Sequence, residues 1–322
     1  MRAAKAVIAA LPVIALIGAA WFAAGWWGGA EVEEDTTFIV RSGSTLTSVA
    51  NKLEEDGLIA SAGAFLLRAK ILGSGDPVKA GEFAVPAGAS PAAILDTLQH
   101  GEVIRRFVTI PEGMPSILVY EKLMGEGLLT GDIEVPEEGS ILPDTYDFER
   151  GETRAAVLSR MQEAMRDYLA AAWEQRSGNT VVTSPRDAII LASIVEKETG
   201  VPKERRMVAG ALSNRVRIGM ALGADATTIY PITKGKPLGR RIRVSELRDR
   251  NPYNTRAIAG LPVGPITNPG REAIAAVLDP AQTKALYYVA DGSGGHVFAE
   301  TLDEHNRNAA AWRRLRRERG EM

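Results

Sequence analysis

The 322-residue chain has no cysteine and only three histidines, His100, His296 and His305. Without cysteine there is no disulfide, no thiolate zinc site and no cysteine nucleophile. Three scattered histidines argue against a histidine-rich metal centre, so no metal and no cofactor is expected. Basic excess is missing too: 38 Lys and Arg stand against 40 Asp and Glu, and without Arg2 and Lys5 the balance is 36 against 40. Nucleic-acid binders usually carry a basic balance or stripe, so that partner class is excluded. The one basic cluster, Arg313-Arg314-Leu315-Arg316-Arg317, reads as the solvated end of a helix, where cations suit the dipole. The length leaves room for two or three domains.

Charge is also absent from Ala6 to Trp27, AVIAALPVIALIGAAWFAAGWW, a run of 22 residues. A helix needs ~20 apolar residues to cross a bilayer core. Arg2 and Lys5 precede the run, Trp21, Trp26 and Trp27 lie toward its far end, and the acidic EVEED follows. Basic flanks stay inside and tryptophans favour the interface. A single-pass anchor over residues 1–28 is therefore expected, with a cytoplasmic N-terminus and an extracytoplasmic body. A cleaved signal peptide ending near Gly28-Gly29-Ala30 is the rival reading, and Pro12 speaks against a buried core helix.

Short strand-like and helix-like pieces follow. Phe38 to Val40 reads as a strand, and Leu46, Val49, Ala50 and Leu53 recur at helical spacing. Ser90-Pro91 opens a helix with Ile94, Leu95 and Leu98 on its buried face, and Val103 to Ile110 reads as a strand. GSTLTSVANKLEEDGLI (43–59) aligns with GMPSILVYEKLMGEGLL (113–129) at an offset of 70 residues. Either a strand-helix unit is duplicated, or two amphipathic helices obey the same rules. A turn-rich connection around Pro143-Asp144 leads to a helical pattern from Arg154 to Arg176. The expected class is α+β, with boundaries at 36–106, 107–180 and 181–322.

The last region holds an unusual placement of acid. Ser184 caps a helix, Pro185 takes its first position, and Asp187 stands where a capping box would close. Ala188 to Val195 is apolar on every face, which predicts a helix enclosed by protein and ended by Gly200. Glu196 follows directly and shares a face with Ile189, Ala192 and Ser193. Glu198 is turned away by about 200° at 3.6 residues per turn, to meet solvent or orient a neighbour. Burial would raise the Glu196 pKa and keep a proton available, as a general acid at a glycosidic oxygen requires. An ordinary helix-end glutamate with its head in water is the alternative, and helical geometry does not choose between them.

Further motifs do. ASIVEKET (192–199), SNRVRIGMAL (213–222), DATTIY (225–230), NPYNTRAIAGLPVGPITNPG (251–270), YYVADGSGGHVF (287–298) and TLDEHN (301–306), with TIPEGM (109–114) and LPDTYDF (142–148) upstream, resemble the MltG-type (YceG-like) endolytic murein transglycosylases. The resemblance implies a LysM-like α+β subdomain over 36–106, a connecting region over 107–180 and a catalytic domain over 181–322. It makes Glu196 the catalytic acid in a non-hydrolytic cleavage of the MurNAc-GlcNAc β-1,4 bond that yields 1,6-anhydroMurNAc. It places Asp225, Thr227 and Tyr230 along a glycan cleft. Glu198, Asn214, Tyr253, Asn254 and Thr255 are taken as further substrate-binding positions, although a buried, satisfied Tyr253-Asn254 pair fits the residue types equally well. It also implies peptidoglycan glycan strands as substrate, peptidoglycan synthases (penicillin-binding proteins) as partners and an inner (plasma) membrane location. Gly223-Ala224 and Arg256 depart from the family pattern, which puts glycan affinity in doubt and leaves Glu196 untouched. Asp291-Gly292-Ser293-Gly294-Gly295 reads as a hairpin connection, and Thr301-x-x-Glu304 as a helix cap. The competing readings are a non-catalytic peptidoglycan-binding scaffold and a lysozyme-like hydrolase; the latter needs a second acid, for which Asp225 is the candidate.

Overall fold

The computed structural model describes residues 2–28 and 32–320, with side chains from residue 12 onward. The order is α1 (Arg2–Trp27), β1 (Thr36–Val40), α2 (Leu46–Glu55), α3 (Ala62–Leu72), β2 (Gly81–Val85), α4 (Pro91–His100), β3 (Arg105–Thr109), α5 (Ser116–Gly125), β4 (Thr145–Glu149), α6 (Arg154–Glu174), α7 (Pro185–Glu198), a 3-10 turn (Pro202–Glu204), α8 (Arg205–Arg217), α9 (Asp225–Thr233), α10 (Val244–Arg248), α11 (Arg271–Leu278), β5 (Tyr287–Ala290), β6 (His296–Ala299) and α12 (Leu302–Glu318). Helices and strands are mixed as an α+β chain requires. The strands pair as three two-stranded sheets, β1-β2, β3-β4 and β5-β6.

Two compact units result: residues 1–106 with 147–151, and residues 107–146 with 152–322. Residues 107–146 and 152–180 thus fall in one unit with 181–322.

In the first unit, β1 and β2 run antiparallel with Phe38 opposite Phe83. Strand alternation sends Phe38 and Val40 inward and Ile39 out. Val49, Ala50 and Leu53 of α2, Phe65 of α3 and Ile94, Leu95 and Leu98 of α4 close over them. Buried Glu82 on β2 pairs with Arg106 and Arg150, each at 2.8 Å, which ties residue 150 to this unit.

The expected anchor, 1–28, falls partly outside the residues whose side chains are described. Among the described residues no helix is long and apolar enough to cross a membrane. The three tryptophans also part company. Trp21 and Trp27 are exposed, but Trp26 is buried in the core of the first unit with its ring 5.6 Å from Phe65.

The second unit is built around α7. Ala188 to Val195 are all buried, as an all-round apolar helix demands, and α6, α8, α9 and α11 pack against it. Ser184 caps it by accepting from the Asp187 amide at 3.1 Å. The expected capping box does not close, because the Asp187 carboxylate takes the Thr183 hydroxyl instead. Thr199 in extended conformation ends the helix, so Gly200 is not its terminator. At the C-terminal end β5 and β6 form the antiparallel hairpin over 291–295, and Thr301 and Glu304 cap α12 reciprocally.

Candidate active site

Glu196 sits in the last turn of α7, where the apolar face of that helix runs out. Its side chain is 6% exposed. The Gly270 amide, at the N-terminus of α11, donates to Oε2 at 2.9 Å. Arg205 Nη2 lies 3.5 Å from Oε1. Arg205 is itself buried and also binds Glu112, at 2.9 Å, and Glu272. Glu112 and Glu272 are 42% and 62% exposed and mark the solvent side of the cluster.

Burial dominates the electrostatics and pushes the Glu196 pKa up; the Glu112 charge adds to this, while the Gly270 amide and Arg205 oppose it. The net direction is toward a protonated acid, with two groups poised to hold the carboxylate once the proton leaves. Close approach completes the site. A Cβ on Gly113, whose φ is +72°, would stand 3.4 Å from Glu196 Cγ, and a Cβ on Gly270 would meet the Glu112 carboxylate.

Asn268, fully buried in ITNPG, ties together loops around Glu196. Its backbone exchanges hydrogen bonds with Gly113 and Met114. Its side chain accepts from the Ile141 amide and donates to Met114 O and Ser116 Oγ. Ser116 in turn donates its amide to Glu138, whose pKa burial pushes up.

The other expected residues form separate groups. Glu198 is half-buried: burial pushes its pKa up, and it accepts from Tyr288 Oη at 2.8 Å, the contact of a residue that orients a neighbour. Asp225 is exposed and pairs with Arg256, so the atypical arginine has a partner. Thr227, Asn254 and Thr255 are fully buried. Thr227 and Thr255 share a hydroxyl contact of 2.8 Å and tie down the backbone of Gly223 and Ala224. Asn254 donates to the carbonyls of Glu246, Leu247 and Asp249 and accepts from Thr228.

Tyr230 packs on Tyr253 with ring centroids 4.9 Å apart. Asn214 binds the carbonyls of Thr283 and Ala285. Saturated inside the protein, Thr227, Asn254, Thr255 and Asn214 hold loops in this arrangement, and the satisfied reading of Asn254 is the one realised. Among the described residues no cluster of His, Asp and Glu could hold a metal ion.

Sequence reasoning missed Glu112, Arg205 and Asn268 as parts of the site. For Arg205 a signal existed: it shares its helix face with Val208, Ala209 and Leu212, all buried, so an arginine was written into an apolar stripe. Glu112 and Asn268 lie in quoted motifs, but nothing local marks them out.

A sequence profile of the YceG-like family matches residues 38–311. An endolytic murein transglycosylase of Bacillus subtilis (strain 168) is 28% identical over 313 residues, covering 86% of this chain and 85% of that protein. An endolytic murein transglycosylase of Streptococcus pneumoniae serotype 2 (strain D39) is 26% identical over 324 residues, and the match spans 84% of this chain but 57% of that longer protein. The crystal structure of a yceG-like protein from Listeria monocytogenes superposes with a TM-score of 0.52 at 24% identity, over 85% of this chain and 98% of that one. That likeness is one of fold.

Proposed function

The chain belongs to the YceG-like family, and from that premise we propose that it is a membrane-anchored endolytic murein transglycosylase with Glu196 as its acid. The observation that carries the reading is the Glu196 carboxyl itself: almost wholly covered, raised in pKa, and flanked by an amide and a guanidinium.

The proton of Glu196 passes to the glycosidic oxygen of the leaving GlcNAc as its bond to muramyl C1 breaks. The resulting carboxylate is held by the Gly270 amide, at a helix N-terminus that favours negative charge, and by Arg205. It then takes the proton of the muramyl 6-hydroxyl while O6 bonds to C1 and closes the 1,6-anhydro ring. Proton and bonds balance without water, and one carboxyl serves both halves. A hydrolase would use a second carboxyl group as nucleophile or base.

Among the expected substrate-binding residues, exposed Asp225 is the one we assign to contact with sugar. The strand-helix-helix-strand order of β1, α2, α3 and β2 supports a LysM-like, glycan-binding first unit over 36–106. The charge-free run over 6–27 supports an anchor in the inner (plasma) membrane with the body outside. Cutting nascent strands internally would terminate their growth, which gives synthases as the natural partners.

The test is mass spectrometry of products from the full-length protein in detergent, incubated with uncrosslinked nascent peptidoglycan beside Glu196→Gln. Internal fragments ending in 1,6-anhydroMurNAc are expected, reduced at least ~100-fold in the variant, the scale of a lost general acid. Reducing-end MurNAc would instead make the protein a hydrolase and turn attention to Asp225. No cleavage by folded wild type would favour the scaffold.

A further inference from the structure

Helix α3, AGAFLLRAKIL, carries two charges and is otherwise apolar on nearly every side. A helix apolar all round is normally enclosed, yet only part of this one is. Ala62, Phe65 and Ala69 face the core of the first unit, with Leu66 and Leu72 packed at its margin. Leu67 and Ile71, one turn apart, are 53% and 61% exposed, and Lys70 is exposed beside them.

This open face adjoins the end of α1. Arg68 Nε donates to the Phe22 carbonyl at 3.2 Å, and its guanidinium stands 5.9 and 5.4 Å from the Trp21 and Phe22 ring centroids. With Trp26 locked against Phe65, α3 is fixed beside residues 21–26. Immediately before them α1 presents Val13, Ile14, Leu16 and Ile17, each more than half exposed. Exposed apolar residues thus occur on both α1 and α3, and Arg68 joins the two helices at Trp21 and Phe22. Tryptophan favours the boundary between acyl chains and headgroups. Arginine and lysine lay their stems along apolar matter and keep their charges among lipid phosphates.

We propose that the Leu67-Ile71 face of α3 lies in the boundary layer of the lipid bilayer, so that the first unit docks on the membrane surface beside its anchor. The proposal rests on the reading of α1 as an anchor. Under it the first unit does not swing free on a tether: the helix that enters the bilayer and the helix that rests on it belong to one core.

The absence of cysteine makes an introduced one unique. Ile14→Cys, Leu67→Cys, Ile71→Cys and a surface reference on α6, Glu163→Cys, are each labelled with an environment-sensitive fluorophore. The full-length proteins are then placed in vesicles of phosphatidylcholine and phosphatidylglycerol, with and without brominated acyl chains. Brominated lipid is expected to quench the labels at 14, 67 and 71, with quenching at 67 and 71 at least about twice that at 163, as for an interfacial helix. Quenching at 14 with 67 and 71 no different from 163 overturns the docking and leaves the anchor standing. It would mean that any cover for this face is another protein. No quenching at 14 removes the anchor reading, and the docking with it.

Discussion

At the scale of single residues, the chemistry turns on what surrounds one carboxyl group. On the proposed mechanism Glu196 begins the reaction protonated, so activity should fall as pH rises through its pKa, which burial has moved upward. Arg205 pulls the other way by favouring the carboxylate, and Glu112 pushes the same way as burial. The two neighbours therefore carry opposite predictions. Arg205→Gln removes a cation and leaves the charges of Glu112 and Glu272 unpaired, so the alkaline limb of kcat/KM should move up. Glu112→Gln should move the same limb down. A pH-rate profile of each variant checks the signs, which general loss of structure would not reproduce. Two shifts in the same direction would show that the limb does not report Glu196.

At the scale of elements, α7 supplies the acid and α8 supplies the cation, and both depend on how tightly α8 seats. Gly210 shows the margin. A Cβ there would stand 2.5 Å from the Ala281 carbonyl oxygen and 2.9 Å from Thr283 Cγ2. That segment is pinned, because the Ala281 amide donates to the Arg206 carbonyl at 3.0 Å. Helix propensity favours Ala over Gly by about 1 kcal/mol, whereas forcing an atom into a packed site costs about 1–3 kcal/mol. The clash should win: Gly210→Ala is expected to lower the unfolding temperature by a few degrees, read by thermal unfolding of the full-length protein. The repeat belongs to this scale too. Helix α2 spans Leu46–Glu55 and α5 spans Ser116–Gly125, at the same 70-residue offset, and each follows a strand and a glycine of positive φ, Gly43 and Gly113. At one of these, Gly113, an added Cβ would touch the Glu196 side chain, so the same local form serves two ends.

At the scale of the whole molecule, the N-terminal helix is part of a folded unit. Burial of Trp26 makes the end of α1 a core element of the first unit. Trp26→Ala should cost about 3–5 kcal/mol, the range for emptying a large aromatic from a core. Calorimetry of the full-length protein in detergent should show the loss as a lower unfolding temperature, without loss of the Glu196-dependent products. Unchanged unfolding would mean that α1 merely touches this unit. The same contact implies that a fragment beginning after residue 30 lacks a core residue of the first unit.

Periodicity was enough to find most of the elements. The apolar run before Glu196, the cap at Ser184, the strand at Phe38–Val40 and the reciprocal cap of α12 are local facts, governed by neighbours within a turn or two. The same locality let Glu196 stand out, since an acid directly after an eight-residue run in which only Ser193 is polar is visible in one dimension. What surrounds that acid is not local: Glu112 and Glu272 reach Arg205 across 93 and 67 residues of chain, and the Gly270 amide reaches Glu196 across 74. Spacing carries no record of such meetings. Polar residue type was equally silent on direction: Thr227 and Thr255 looked like ligands for sugar and Asn254 read either way, yet all three are buried and bind the protein's own polar groups. Trp26 looked like a membrane residue and packs in a core. The sequence by itself determined which segments coil, pair and end, because those depend on backbone hydrogen bonds and side chains a few residues apart. Only the tertiary structure decided which polar groups are left free and which charges face one another, because burial and Coulomb interaction depend on distance in space.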